Sequence, residues 1–383
     1  MDFTLSEEQQ MLQESVTKFV QNSYGFEQRK KWSQSELGFH RDNWKLFAEL
    51  GWLSLPFSEE YGGFGGTPVD TMIFMEALGK GLVLEPWIST VLLCGKLIES
   101  IGTESQKQAY LAGIIQGELL MALAYLEQRS GNNPFAVQTT AELRGDDYII
   151  NGGKVMVLNG ASADKWLVTA RVSGSERAST GIRVFVVDAA AQGVSMQGFT
   201  TVEGGKAAEL TFKDVKVAAQ DCLGNADAGF ELEAIIDHAM IALCAAAVGA
   251  MEVLYQTTVE YTKTRKQFGV PIGKFQALQH RMVDMFIAYE QSKSCLYMAA
   301  LHAVENGLSS QSQSHIKAQK SASALKVKVG QAGRYIGQES VQLHGGMGMT
   351  DELDVGYYFK FLTIADALFG NVDFHLDRYS RAD

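Results

Sequence analysis

The chain of 383 residues contains only four cysteines and five prolines, and it has no excess of basic residues. Cys94, Cys222, Cys244 and Cys295 form no C-x-x-C pair, and none stands near a histidine at metal-ligand spacing. That excludes a disulfide framework or a structural zinc site as the basis of the fold. The pattern fits reduced thiols in a cytoplasmic protein, three of them packed against apolar neighbours. Lysine and arginine total 33 against 44 acidic residues, for a net charge of -11. Such a balance argues against nucleic acid or an anionic membrane as partner, since both need a basic face. Any phosphate-bearing ligand must then be met by a local basic group. The segment Met1 to Val20 is acidic and amphipathic, unlike a signal peptide. The longest apolar stretch, around Ala239 to Ala250, reads as too short and too rich in alanine to cross a bilayer. No repeat and no low-complexity tract is present.

Hydrophobic residues make up 46% and charged residues 20%, which is enough apolar material for a large core in two or three domains. Three regions separate by period. Residues 1–118 read as an N-terminal helical domain. Ser6 and Gln9 form an S-x-x-Q capping signal, helical patterns recur at 41–50, 67–80, 88–100 and 104–116, and the glycine-rich stretch Gly62 to Gly66 is a loop. Residues 119–225 have short apolar runs with turn residues every 8 to 12 positions and read as a β-barrel or sandwich. Strands are expected at Tyr148 to Ile150, Trp166 to Ala170, Val184 to Val187 and Leu210 to Phe212. Asn151-Gly152-Gly153 reads as a tight hairpin turn after the first of these. In residues 226–383 the helical period returns, with Phe275, Leu278, Met282, Met285 and Tyr289 on one face. Beyond Gly229 only one proline, Pro271, interrupts it. Long helices are expected at 229–265, 274–306, 314–343 and 357–380, with a Ser/Gln-rich loop at 308–314. The whole is an α+β multidomain chain ending in a four-helix bundle, and such bundles commonly meet other subunits.

Several motifs share one order. Gly51-Trp52-Leu53, Pro56 and Glu60 to Gly65 come first, then Asn151-Gly152-Gly153-Lys154. Arg265-Lys266-Gln267-Phe268-Gly269 follows, with Gln276 and His280, and finally Gln342 with Gly345-Gly346. In this order the set resembles the acyl-CoA dehydrogenase family along the whole chain. Gly269-Val270-Pro271-Ile272-Gly273 and Leu368-Phe369-Gly370 bring it nearest to the small subunit of the heteromeric pimeloyl-CoA type. The resemblance implies FAD lying across a subunit interface: one chain holds the isoalloxazine ring and its partner holds the ADP end.

The ADP-holding set is intact. Arg265 offers a fork of donors suited to a pyrophosphate. Gln267 and Gln276 can donate to phosphate or ribose oxygens, Phe268 offers an apolar face, and Gln342 would reach the adenine end. Gly345 and Gly346 would admit close backbone approach. The ring-holding set is depleted. Where the family has Thr-Glu-Pro, this chain has Leu126-Glu127-Gln128, and Leu158 and Met156 stand at the other ring positions. The catalytic carboxylate is also missing. Its usual place holds Phe369, and the alternative place on a C-terminal-domain helix reads Ala239-Met240; neither Phe nor Ala can accept a proton. Asp366, one turn before Phe369, is a weak substitute. Asp237 and Asp373 read as structural acids, and His238 and His375 as hydrogen-bonded structural groups.

Three expectations follow from the resemblance. In the leading one, this is the non-catalytic or half-site subunit of an FAD-dependent acyl-CoA dehydrogenase, an α2β2 assembly with a paralogous catalytic chain. Acyl-CoA would be the substrate and an electron-transfer flavoprotein the acceptor. In the second, it is a self-sufficient homotetramer using an unusual base such as Asp366. In the third, it is a flavin-free acyl-CoA-binding or scaffold protein.

Overall fold

In the computed structural model, residues 4–224, 227–306 and 313–382 are described. The N-terminal region holds α1 (Glu7–Ser23), α2 (Phe26–Ser33), α3 (Arg41–Glu49), α4 (Pro68–Gly79), α5 (Lys96–Ile101) and α6 (Glu104–Ile115). Side chains fix three of these starts. Ser6 and Gln9 exchange bonds of 3.1 Å in each direction at α1, as expected. Thr67 with Asp70 and Thr103 with Gln106 cap α4 and α6 in the same way. Ahead of α5 the chain runs as a π-helix over Ile88–Gly95, where the Phe57 ring occupies the space beside Gly95. An aromatic cluster of Phe19, Phe47, Trp52, Phe74 and Trp87 fills the middle of this region.

The middle region is one mixed sheet. Its strands are β1 (Met121–Ala124), β2 (Thr140–Arg144), β3 (Asp147–Leu158), β4 (Lys165–Arg171), β5 (Ile182–Asp188), β6 (Val194–Thr200) and β7 (Lys206–Ala218). The order is β1-β4-β2-β3-β7-β6, with β5 antiparallel to β4 and β1 parallel to it. The expected hairpin turn at Asn151-Gly152-Gly153 is not a turn. These residues lie inside β3, at a bulge where the register with β7 shifts between Ile150 and Gly152. Asn151 fastens the bulge to β7 through Asp214, at 3.1 and 2.8 Å. Gly152 (φ 150°) passes Thr139 so closely that no side chain fits. The tight turn comes earlier, at Gly145-Asp146, between the paired Arg144 and Asp147.

The C-terminal region comprises α7 (Gly229–Thr264), a small hairpin of β8 (Lys266–Gln267) and β9 (Val270–Pro271), then α8 (Gln276–Asn306), α9 (Gln313–His344), α10 (Val355–Ala367) and α11 (Val372–Arg381). Residues 308–312 of the Ser/Gln-rich stretch lie outside the described residues, and 313–314, expected in that loop, instead begin α9. Two sequence expectations need correction here. The single helix expected at 357–380 is broken, because Phe369 (φ 58°) and Gly370 (φ 100°) turn the chain and Asn371 caps a new helix at Phe374. The apolar stretch at 239–250 belongs to a 36-residue helix that is long and apolar enough to cross a membrane, so length does not exclude a span. Burial explains its composition instead: 89% of its most apolar part lies inside the protein. Small residues there let α7 cross α4 at close range, since side chains at Gly79 or Gly249 would overlap the backbone of Ala246 or Glu76. One continuous core therefore joins the two helical regions, and the sheet carries a second core of its own.

Candidate active site and cofactor face

At the end of α7 the backbone leaves the helix at Arg265 and turns back through β8 and β9. Ile272 closes the hairpin by donating to Arg265 O at 2.8 Å. Its tip is Phe268-Gly269, with φ of 54° and 79°, the two left-handed positions of a tight hairpin turn. For phenylalanine that conformation costs on the order of 1–3 kcal/mol. The side chain recovers nothing by burial, being 93% exposed. The ring stands out in solvent with Phe275 edge-on to it at 6.2 Å. Arg265 is exposed and forms no ion pair among the described residues.

The other expected ADP contacts cluster here. Tyr261, one turn before Arg265, stacks on His344 at 4.2 Å and reaches His344 O at 3.4 Å. This brings the end of α9, and Gly345-Gly346 just after it, beside the Arg265 hairpin. Open space surrounds both glycines, and Gly345 has φ 61°. Gln276 and Gln342 are exposed on the ends of α8 and α9. The structure thus gathers Arg265, Gln267, Phe268, Gln276, Gln342, Gly345 and Gly346 at one end of the bundle, where Gln267 Nε2 donates to Lys266 O at 2.7 Å and Phe268 meets Phe275 edge-on.

A second region centres on Phe369, which is 6% exposed. It lines two cavities at once. One, of about 130 Å³, is bounded by α4, the π-helical segment, α7 and the β6–β7 hairpin. The other, of about 290 Å³, opens between α7, α11 and the loop at Asn132 to Phe135. Leu158 lines the first cavity, and Ala239 is fully buried. The Phe369 turn is pinned from inside: His375 Nε2 donates to Phe369 O at 2.9 Å, and Lys326 donates to Gly370 O and Asp366 O at 2.6 and 2.8 Å. Burial lowers the His375 pKa to about 4, so the ring stays neutral. His238 is likewise depressed to about 4 by burial.

The carboxylates weighed as substitute bases are engaged or remote. Asp366 lines neither cavity; its carboxylate faces α9, beside Gly330, and accepts from Arg334 at 3.3 Å. Asp237 lines the larger cavity but is held by both nitrogens of the Arg378 fork, at 2.6 and 2.8 Å, with Glu233 on the same guanidinium. Asp373 is exposed in the first turn of α11.

Sequence reasoning missed four charged residues of this region. Lys154 is fully buried and donates to Glu127 at 2.7 Å and Thr169 at 2.9 Å. Glu127 also accepts from the backbone of Gln138 and Thr139 at 2.7 and 3.0 Å. The pair clamps the 126–139 loop to β3, where Val155 donates to Leu126 O at 2.9 Å. The signal was available, since both residues sit in motifs singled out for other reasons. Glu85 and Arg29 line the smaller cavity. Glu85 accepts from Tyr24 and Asn43 at 2.9 and 3.0 Å, and burial raises its pKa. Arg29 sits in the charged stretch Glu27 to Lys31, where no element is expected from the sequence, yet it is 2% exposed.

Comparison with known proteins agrees with the motif order. The N-terminal, middle and C-terminal domains of acyl-CoA dehydrogenases match residues 6–118, 122–215 and 230–382. The short-chain specific acyl-CoA dehydrogenase of Clostridium acetobutylicum is 32% identical, over 93% of this chain and 92% of that protein. The chain belongs to the acyl-CoA dehydrogenase family. Its fold is that family's three-domain architecture. Among solved structures, the ChsE4-ChsE5 complex of Mycobacterium tuberculosis is 26% identical with a TM-score of 0.88, covering 100% of this chain and 98% of that one. PigA, solved with FAD and proline, is 26% identical with a TM-score of 0.89 over the same shares.

Proposed function

We propose that this FAD-dependent acyl-CoA dehydrogenase chain is the supporting subunit of a heteromeric enzyme, similar to the small subunit of the pimeloyl-CoA type. It would hold the ADP end of the FAD whose ring lies in a paralogous catalytic subunit. The observation that carries this reading is an asymmetry within one chain. The Arg265 hairpin stands exposed and strained as a cofactor contact would, while Phe369 fills the place of the catalytic carboxylate.

The residues fit this division of labour. The Arg265 fork would meet the pyrophosphate, with Gln267 and Gln276 donating to phosphate or ribose oxygens. Gln342 would reach the adenine end, Phe268 would cover an apolar edge, and the bare backbone at Gly345-Gly346 admits close approach. When bound, FAD supplies the hydride acceptor for α,β-dehydrogenation of the thioester. On this chain's own ring side, Leu126 and Leu158 supply no hydroxyl, and neither Phe369 nor Ala239 takes a proton. The α proton would be removed by the paralogue, and an electron-transfer flavoprotein would be the electron acceptor.

The test is flavin absorbance per chain for the purified protein, before and after anaerobic addition of mixed acyl-CoAs. A colourless protein, or a yellow one that does not bleach, is expected, with flavin and bleaching restored by a co-expressed paralogue. Bleaching of the isolated chain overturns the proposal and favours the self-sufficient homotetramer.

A further inference from the structure

Among the described residues, Phe369 alone lines both cavities. On one side of it Leu368 lines the smaller cavity, and on the other Phe374 and His375 line the larger. The two cavities lie in line along α7. Ile236 lines the larger and Leu243 the smaller, seven residues on. That spacing is two turns of one helix face, about 10 Å along the axis. Ala239 stands between them on the same face, fully buried, and its methyl group takes up little of the gap. The larger side chain that meets both spaces is Phe369, and the backbone carrying it is held by the bonds from His375 to Phe369 O and from Lys326 to Gly370 O. The ring is therefore a partition with a fixed base.

The walls on its two sides differ. The larger cavity carries Glu233, Asp237, Asp377, Arg378, Arg381 and the neutral His375. Its charges are spent on one another: Arg378 holds Asp237 and Glu233, and Arg381 holds Asp377 at 2.9 Å. That leaves a polar wall with no free charge to draw an ionic group inward. The smaller cavity has charged residues too, Arg29, Glu85, Glu203 and Lys206, but these come from α2, the segment after α4 and the β6–β7 hairpin. Its side along α4, α7 and the Phe369 turn is apolar, with Met75, Leu78, Leu243 and Leu368. A hydrocarbon chain following α7 past Ala239 would gain by burial only there. We propose that Phe369 sets the length of acyl group this chain can hold: a thioester entering the larger cavity meets the ring and stops, and the apolar space beyond is out of its reach. The proposal rests on the acyl-CoA dehydrogenase reading of the chain and adds a specificity-determining residue to it.

The experiment is calorimetric titration of the full chain with acetyl-, butyryl-, hexanoyl- and octanoyl-CoA. In the unaltered chain, affinity should not rise from butyryl to octanoyl. Phe369→Gly removes the ring and suits the left-handed turn. In that variant affinity should rise about fourfold for each added methylene until the smaller cavity is filled, the worth of burying one methylene. Adding Leu243→Phe, which narrows the smaller cavity, should remove most of the rise. A cooperative melt checks that each variant is folded. Phe369→Ala carries the same test if the glycine variant does not melt cooperatively, and the series on the unaltered chain needs no substitution. A rise with length in the unaltered chain equal to that in the variant would overturn the proposal. So would a folded variant that binds every length alike, or a rise that Leu243→Phe leaves intact. Failure of every acyl-CoA to bind either protein would instead overturn it from beneath, by removing acyl-CoA as a ligand of this chain.

Discussion

Around Arg265 the backbone leaves its helix, makes a strained turn and sets its side chains in solvent. Around Phe369 an equally left-handed turn is buried and tied down by His375 and Lys326. Both turns carry a phenylalanine where glycine would be easier. In the first the ring is offered outward; in the second it fills the interior. Strain at an exposed tip is worth keeping only if something docks there, whereas strain in a core can be held by packing alone. The two sites therefore point in different directions: one sets its side chains out in solvent, and the other is closed and held by packing.

The closed side should be the more fragile. In Glu127→Gln the Lys154 ammonium keeps Thr169 but loses its counter-charge inside the sheet. Breaking a buried pair on one side costs about 3–5 kcal/mol. Chemical denaturation should show that loss in the Glu127 variant, and a Glu127→Gln, Lys154→Met double variant should recover part of it. If the single variant is as stable as the parent, the clamp is not what holds the 126–139 loop.

Acid should loosen the same side. An unfolded histidine gains its proton near pH 6.5, while folded His375 takes one only near pH 4. Between these values the unfolded state binds more protons, so stability falls as pH drops from 6.5 towards 4. The loss from His375 can reach about 3 kcal/mol. Since a carbonyl only accepts, Nε2 carries the proton that bonds Phe369 O. Glutamine can supply a similar donor without titrating, so His375→Gln should flatten the pH dependence of the melting temperature in this range. An unchanged slope would assign the acid sensitivity elsewhere, with His238 the next group to replace.

On the open side the expected loss is of cofactor, not of fold. Arg265→Ala removes charge-assisted hydrogen bonds worth about 1.5–3 kcal/mol, a ten- to hundredfold weakening for FAD in the assembled enzyme. The melting temperature of this chain alone should not move, because Arg265 forms no ion pair among its described residues. Full flavin content in the variant complex would remove Arg265 from the cofactor site.

The contrast also shows what a sequence can reveal. The long helices of the bundle were readable because their apolar period persists over more than 30 residues. The Arg265 segment stood out because its residues are consecutive or lie at helix ends. The break at Leu368 to Asn371 was not, because Phe369 gives no local sign of a left-handed turn. The bulge at Gly152 was mistaken for a turn because glycine serves either purpose. Arg29 was hidden among Gln28, Lys30 and Lys31, since its burial depends on Leu82 and on Glu203, which lies 174 residues away. Local periodicity cannot report a partner at that distance.

The smallest expected effect is also the one that separates the leading reading from its closest rival. Asp366 is the acid nearest in sequence to Phe369, and a self-sufficient enzyme would need it as its base. Its surroundings give it another occupation. It sits in the last turn of α10 with its carboxylate against α9, where Arg334 approaches one oxygen and Gly330 makes room for the other. Its backbone carbonyl receives Lys326. A general base must come within hydrogen-bond reach of the proton it removes, and Asp366 lines neither cavity around Phe369. Asp366→Asn keeps the shape and the backbone contact, so turnover of the assembled enzyme should be unchanged. Loss of turnover with flavin content intact would restore Asp366 as the base. It would also make the buried side of this chain a working active site.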